Sequence, residues 1–402
     1  ELVSALQRGS QVHVLSYTVH HVLRTIVDDL NHGDLDDSAH LIVRVIMEDV
    51  FGAVGEEKDS DNYHTKMKEV KVNRSYDTGE VLAANISLQE FSTILKPIKM
   101  LLMERVSFKS QNKLQELLRH YALGINHNTE AAEINSLRLC YEIFNQDVEQ
   151  KKYNRPKATV TEQEEFFLVN LNAKKERVVT EYSLLSHTFQ KFSLDLLRTV
   201  ITRHKSLMQA KYLQGFVPLL QQSLTSDDEN VLISTLKVLI ILVKIDFEMS
   251  TENLFKNCVK KALNIVKDSP STGSELCQMA IKYLSAAIKH KEMKLKNVAL
   301  SYVLQRILPD LNEPNKQGLA FNFLKSLISK QVMLPELYDI MTTVREIMIT
   351  NHSKDIRNVA RSVFYHFLME YDQSKGRLEK QFKFMVDNLQ YPAPDGKQSV
   401  ME

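Results

Sequence analysis

The chain has 402 residues, 44% of them hydrophobic, and its 51 basic and 50 acidic side chains leave a formal net charge of +1. A chain of this length can bury a sizeable core, and its neutral balance excludes a generic nucleic-acid-binding protein, so any contact with RNA must be local. The 11 glycines and 9 prolines are about half the usual share, which disfavours a turn-rich β fold. No apolar run approaches the roughly 18 residues that span a bilayer, so we expect no membrane association.

Apolar residues at helical spacing mark the first third of the chain. The stretch 56–74 interrupts them, because it is rich in charged residues and poor in apolar partners. We therefore predict helical repeats over 1–147 with a mobile loop near 56–74. The helical spacing is found over 12–30, 41–50, 88–102, 114–123 and 134–144.

A second interruption covers residues 148–177. Lysines and arginines open and close it, and the apolar run Phe166-Phe167-Leu168-Val169 in its middle is too short to be a domain. We predict a flexible linker that docks one short segment onto the nearest groove. The alternative interpretation is a peptide-like anchor with flanking phosphate contacts.

From residue 178 onward, a repeat of roughly 40 residues governs the sequence. Ser226-Asp-Asp-Glu229 and Thr272-Gly-Ser-Glu275 are typical of capping boxes at two helix starts. The pattern predicts first helices near 211–224, 252–267, 297–311, 335–350 and 376–389, and second helices near 227–244, 273–289, 315–329 and 354–370.

Inside the second helices, a small residue is followed four positions later by a larger apolar residue. We predict that the small residue lets neighbouring helices approach and that the larger one fills the seam between them. The pairs are Ser234 and Val238, Ala280 and Leu284, Ala320 and Leu324, and Ala360 and Phe364.

These patterns predict an all-α fold, a HEAT-repeat α-solenoid in which antiparallel helix pairs stack into a curved superhelix. Two-helix units over 178–402 favour HEAT repeats over three-helix armadillo repeats. The first residue is not methionine, and residues 396–402 have the pattern of another helix start. We therefore expect the chain to be an internal fragment of a longer protein.

No constellation of residues points to catalysis or to a cofactor. His13 and His20 share a helix face but lie about 10 Å apart along the axis, too far for two ligands of one zinc ion. The sequence has no phosphate-binding glycine loop and no Cys-x-x-Cys pair. The three cysteines, Cys140, Cys258 and Cys277, have apolar neighbours and are expected to be buried, reduced thiols. We predict no enzyme activity, no metal, no cofactor and no small-molecule substrate.

Basic residues cluster in the interrupting and connecting segments, where flexible side chains can reach phosphates without a groove of fixed shape. A solvated surface is the alternative interpretation, and no aromatic residues accompany the clusters to stack on bases. A further cluster, Lys289, Lys291, Lys294 and Lys296, lies in a turn between repeats. The candidate phosphate contacts are Lys66, Lys68, Lys71, Arg74, Lys151, Lys152, Lys174 and Lys175.

Two groups of residues are typical of one protein family. The first is Val12-His-Val-Leu-Ser-Tyr-Thr-Val-His-His-Val-Leu23 with Val50-Phe-Gly-Ala-Val-Gly-Glu-Glu-Lys58 and Ser75-Tyr76-Asp77, and the second is Leu389–Glu402. They resemble signatures of the down-regulated-in-metastasis family, very large HEAT-repeat proteins of the nucleolar small-subunit processome.

The resemblance implies a non-catalytic nucleolar scaffold that supports pre-rRNA processing, 18S rRNA maturation and assembly of the small ribosomal subunit. It also implies two kinds of partner: other processome proteins, and pre-rRNA with the small nucleolar RNA particle, contacted through phosphates.

Two other classes of protein remain open. A karyopherin-type nuclear transport receptor is also a HEAT solenoid, but an acidic one, whereas this chain is neutral. Other HEAT-repeat or armadillo protein-binding adaptors, including tubulin-binding arrays, rely on tryptophan, and this sequence contains none.

Overall fold

The computed structural model describes residues 12–52, 55, 74–103, 108–146, 181–247, 252–291 and 295–402. Within these ranges the chain forms α-helices and short 3-10 turns but no strand, which confirms the all-α prediction. The chain divides into two compact units, Glu1–Tyr212 and Leu213–Glu402. No described helix is long and apolar enough to cross a bilayer. The loop expected near 56–74, apart from Arg74, and the linker expected at 148–177 lie outside the described residues.

Unit 1 is built from seven described helices. Its strongest pairings join α3 to α5 and α6 to α7, while α1, α2 and α3 pack against one another. The helices are α1 (Val12–Ile26), α2 (Ala39–Phe51), α3 (Ser75–Asn85), α4 (Phe91–Leu102), α5 (Phe108–His127), α6 (Ile134–Phe144) and α7 (Glu181–Arg203).

Helix α3 was not predicted, because its buried face consists mostly of small and polar residues, with Leu82 as its one large apolar side chain. Ser75, Thr78 and Gly79 are buried there. A Cβ atom on Gly79 would lie 2.7 Å from the Tyr121 ring of α5, and one on Gly124 would lie 2.3 Å from a carbonyl oxygen of α3. Two glycines thus allow the backbones of α3 and α5 to approach closely.

The turns at one end of unit 1 are joined by hydrogen bonds. Asp36, between α1 and α2, accepts bonds from the hydroxyl and from the amide of Ser87, the latter at 2.9 Å. Asn128, after α5, donates to the carbonyl oxygen of Ile86 at 2.7 Å. Gly33 adopts φ +89 in the first of these turns, in the left-handed region that favours glycine. The carboxylate of Asp36 therefore fixes a neighbouring turn instead of capping its own helix.

Unit 2 consists of paired helices at the predicted positions. The first helices are α8 (Val217–Leu224), α10 (Glu252–Asp268), α12 (Asn297–Ile307), α14 (Pro335–Thr350) and α16 (Lys375–Asn388). The second helices are α9 (Glu229–Leu242), α11 (Glu275–His290), α13 (Gln317–Ser329), α15 (Lys354–Glu370) and α17 (Pro394–Met401). The predicted helix start near 396–402 is thereby confirmed as α17.

The second helices α9, α11, α13 and α15 lie side by side and pack along their length. Every small and larger residue of the predicted pairs is at most 2% exposed, which confirms the seam. These residues are Ser234, Val238, Ala280, Leu284, Ala320, Leu324, Ala360 and Phe364. Close packing along this seam, repeated at each unit, holds the repeats together.

Polar bonds across unit 2 join residues about one repeat apart. Lys237 Nζ lies 2.8 Å from Glu275 Oε1, and Thr272 Oγ1 donates to the buried Asp310 Oδ1 at 2.7 Å. The same spacing is found for Arg306 with Ser269, Lys325 with Ser362, and Arg357 with Asp395. Polar side chains thus join neighbouring repeats alongside the apolar seam, as expected of stacked helical repeats.

The predicted capping boxes are wrong in register, although both helices exist. Asp228, not Ser226, caps α9, and its Oδ1 accepts from the amide of Val231 at 3.0 Å. Ser274 caps α11, and its Oγ accepts from the amide of Cys277 at 3.3 Å, while Thr272 donates its hydroxyl to Asp310. The residue directly before a helix has an extended backbone, and its side chain can accept a hydrogen bond from the free amides of the first turn. A residue two positions earlier is too far from these amides.

Removing these caps tests the corrected register. Asp228→Ala and Ser274→Ala are each expected to lower the free energy of unfolding by about 1 kcal/mol, because a helix amide loses its acceptor. Ser226→Ala is expected to cost less, since its Oγ accepts only from the amide of Asp228, before the helix begins. Urea denaturation followed by circular dichroism measures this, and an equal loss for Ser226→Ala and Asp228→Ala would contradict the assignment.

Candidate nucleic-acid interface

Among the basic residues predicted to contact phosphates, the structure describes Arg74 alone. Its Nη1 lies 3.3 Å from Asp77 Oδ2 in a partly exposed pair at the start of α3. That carboxylate offsets its charge, so Arg74 offers little net attraction for a phosphate by itself. The others lie outside the described residues, and their role stays a prediction: Lys66, Lys68, Lys71, Lys151, Lys152, Lys174 and Lys175.

The structure separates the members of the basic cluster between repeats. Lys291 Nζ donates to the carbonyl oxygen of Ile245 at 2.7 Å and lies 3.3 Å from Asp246 Oδ1. Lys291 therefore ties the end of one second helix to the end of the previous one. Lys289 is exposed at the end of α11, and Lys296 precedes α12. Lys294 lies outside the described residues.

Lys289 borders a groove of about 360 Å³ across the second helices α9, α11 and α13. Its apolar lining includes Ile240 and Leu319. Its polar lining includes Lys244, Lys282, Lys289, His290, Asn322 and Lys325. We call this feature the lysine groove.

Helix geometry explains why these residues share one surface. In α11, Ser285 follows Lys282 by three positions and Lys289 follows Ser285 by four. Their side chains therefore lie on one face of the helix. In α13, Asn322 and Lys325 share a face for the same reason. Since α9, α11 and α13 lie side by side, each contributes one such face to the lysine groove.

The charges of the lysine groove are not neutralised by described carboxylates. None lies within salt-bridge distance of Lys244, Lys282, Lys289 or Lys325, whereas the nearby Lys237 pairs with Glu275 at 2.8 Å. Lys325 Nζ has a hydroxyl partner, Ser362 Oγ, at 3.4 Å. The groove therefore carries a concentrated positive field in a chain of neutral overall charge.

The pKa of His290 reflects the positive charge of the lysine groove. This pKa is lowered, first by partial desolvation and then by the nearby charges of Lys289, Lys244, Lys330 and Lys291. A positive charge on the imidazole is disfavoured beside four other positive charges. An anion in the lysine groove would reverse this effect and favour the protonated imidazole.

The lining favours anion binding. The described lining residues include no carboxylate, no cysteine and no aromatic ring except the imidazole of His290. Elsewhere in the described ranges, no group of three or more His, Cys, Asp or Glu side chains is placed to hold a metal ion. Lysine ammonium groups contact phosphate oxygens as point charges and do not read base sequence.

The cysteines are buried, as predicted. Cys140, Cys258 and Cys277 are free thiols within the helical core. Burial raises the pKa of each thiol, which keeps it protonated and therefore a poor nucleophile.

Sequence reasoning missed the lysine groove because it searched for neighbouring basic residues. Lys244, Lys282 and Lys325 are isolated along the chain and come together only when the repeats stack. The available signal was their spacing of roughly 40 residues, about one repeat, with Lys244 just after α9, Lys282 on α11 and Lys325 on α13.

Comparison with known proteins adds to this geometry. Residues 1–144 match the model of the U3 small nucleolar RNA-associated protein 20 domain. The whole chain is 59% identical over 406 aligned residues to "U3 small nucleolar RNA-associated protein 20" of Saccharomyces cerevisiae. It is 37% identical over 412 aligned residues to the protein of that name from Schizosaccharomyces pombe.

The chain spans 16% of the length of each of these two relatives. The alignments cover all of this chain, including the repeats of unit 2, whereas the domain match is confined to the first part of unit 1. Residues 1–144 thus match the U3 small nucleolar RNA-associated protein 20 domain, and the whole chain is similar to one segment of two proteins of that name.

Proposed function

We propose that this chain is a non-catalytic scaffold segment of a small-subunit processome protein of the down-regulated-in-metastasis family. In this role it supports pre-rRNA processing and assembly of the small ribosomal subunit in the nucleolus. The observation that carries the proposal is the 59% identity, over the full chain, to a protein named for its association with U3 small nucleolar RNA.

The structure supports a scaffold in physical terms. Stacked helix pairs present long surfaces whose ligands are set by shape and charge. The partners we propose are other processome proteins, and pre-rRNA with the small nucleolar RNA particle, contacted through phosphates. The candidate contacts at Lys66, Lys68, Lys71, Arg74, Lys151, Lys152, Lys174 and Lys175 belong to this proposal. The 59% identity over the whole of this chain favours this role over the karyopherin-type alternative.

Depleting the parent protein from cells is expected to leave small-subunit rRNA precursors unprocessed while large-subunit rRNA stays normal. The reason is that loss of a scaffold stops assembly of the particle in which those precursors are cleaved. Northern blots of precursor and mature rRNA measure the outcome, and re-expression of the unchanged protein is the control. Normal small-subunit processing after depletion, with crosslinks of this segment to nuclear pore proteins, would instead favour the transport receptor.

A further inference from the structure

The positive charges of the lysine groove lie in two rows across the second helices. Lys244, Lys289 and Lys330 lie at or just beyond the ends of α9, α11 and α13. Lys282 and Lys325 lie nearer the helix centres. Seven residues separate Lys282 from Lys289, so the rows are about 10 Å apart along the helix axes. Neighbouring helices are also about 8–10 Å apart, so the lysines form a two-dimensional array.

Hydrogen-bond donors in the groove come mainly from this array. The hydroxyls of Ser285 and Ser326 donate to the carbonyl oxygens of Ile281 and Asn322, at 2.9 Å each. Those two serines have therefore already used their protons. The lysine ammonium groups and the exposed Asn322 amide supply the donors that face solvent.

The lining fits a nucleic-acid backbone better than an acidic peptide. Helical peptides dock through apolar anchors in a hydrophobic groove, whereas much of this lining is small or charged, including Ala286, Ser285 and the lysines. It also fits a duplex better than a single strand. Single strands bind by stacking successive bases on aromatic or arginine side chains, and the described lining offers no arginine and only one aromatic ring, the imidazole of His290.

We infer that the lysine groove binds the phosphate backbone of double-stranded RNA, without sequence preference, through Lys244, Lys282, Lys289 and Lys325. Its lysines are different residues from the candidate phosphate contacts named under the proposed function. The inference rests on the proposed function only for the choice of RNA as the source of the phosphates.

The test measures binding of the purified 402-residue chain to a short RNA duplex of mixed sequence as salt is varied. The variant carries Lys282→Glu, Lys289→Glu and Lys325→Glu, and it is expected to bind about tenfold or more weakly at low salt. A milder variant, with the same lysines changed to glutamine, is expected to flatten the slope of log affinity against log salt by about 2 to 3, since each phosphate contact contributes about 0.9.

The matched control carries Lys375→Glu, Lys380→Glu and Lys383→Glu on α16, which changes the net charge equally at exposed positions. Its affinity is expected to stay within about twofold of the unchanged chain, because long-range charge alone is screened by salt. Equal losses in the groove variant and in this control would overturn the inference. Tighter binding of a single strand of equal length, or of poly-glutamate, would do the same.

His290 gives a local readout that a global charge effect would not move. Bound phosphates favour the imidazolium form, so the duplex is expected to raise the pKa of His290, measured by NMR titration, in the unchanged chain and in the α16 control. An unchanged pKa at saturating RNA would place the duplex elsewhere and overturn the inference. The NMR titration uses the purified chain and tests only the lysine groove, whereas the depletion experiment tests only the proposed function. Either of the two can therefore be contradicted while the other is supported.

Discussion

Replacing Ala360 with aspartate is expected to unfold the repeats around α15. Ala360 is 0% exposed and faces the seam between second helices. A carboxyl in such a site keeps its proton at neutral pH. Protonating it at pH 7, against an unfolded-state pKa of about 3.9, costs about 4 kcal/mol, a large part of the roughly 5–15 kcal/mol that stabilises a domain. Ala320→Asp, at the equivalent position of α13, is expected to behave in the same way.

Val359→Asp is the matched control, because Val359 is the preceding residue of the same helix and is 43% exposed. The two variants introduce the same side chain and the same charge one position apart. Replacing alanine costs up to about 0.7 kcal/mol more helix propensity than replacing valine, which is much less than the expected difference between the variants. Val359→Asp is expected to change the free energy of unfolding by less than about 1 kcal/mol. Urea denaturation and thermal melts followed by circular dichroism compare them. Identical melting of both variants would show that the seam is wrongly placed.

The second large effect is expected at Gly124→Ala in unit 1. The added Cβ would lie 2.3 Å from the Glu80 carbonyl oxygen and 2.7 Å from Ala83 Cβ, both on α3. Neither atom is the end of a flexible side chain, so the two helices must separate. Overpacking of this kind costs about 1–3 kcal/mol or more, and the helix propensity gained by alanine, about 1 kcal/mol, offsets only part of it.

Gly318→Ala on α13 provides the comparison, since no atom lies within 4 Å of the Cβ position there. That variant is expected to be neutral or to gain up to about 1 kcal/mol, because alanine restricts the unfolded chain and favours helix. Urea denaturation of both variants separates packing from propensity. A Gly124→Ala variant as stable as Gly318→Ala would mean that α3 and α5 do not approach as closely as described.

Of the two features behind these predictions, one could be predicted from the sequence and the other could not. The Ala360 seam was predicted from a small and a larger residue recurring at the repeat period. The contact at Gly124 was not predicted, because a glycine inside a helical pattern does not indicate which backbone lies against it. Only the position of α3 against α5 shows that Gly124 allows these two backbones to approach closely.

The sequence alone determined the all-α class and the paired helices of unit 2. For α14 the predicted and observed bounds coincide at Pro335–Thr350, and for α15 they coincide at Lys354–Glu370. Apolar spacing is a local property that fixes which face of a helix must be buried, and repetition reinforces each assignment. The burial of Cys140, Cys258 and Cys277 followed from their apolar neighbours for the same reason.

Only the tertiary structure decided which residues meet across the chain. It identified α3, whose buried Ser75, Thr78 and Gly79 are covered by α1, α2 and α5. It also placed Asp228 rather than Ser226 at the helix cap, a choice set by the path of the chain into α9. The lysine groove has the same origin. Lys244, Lys282 and Lys325 are distant in sequence, and the stacking of α9, α11 and α13 brings their charges together. The mutual repulsion of these charges is offset by their solvation at the surface.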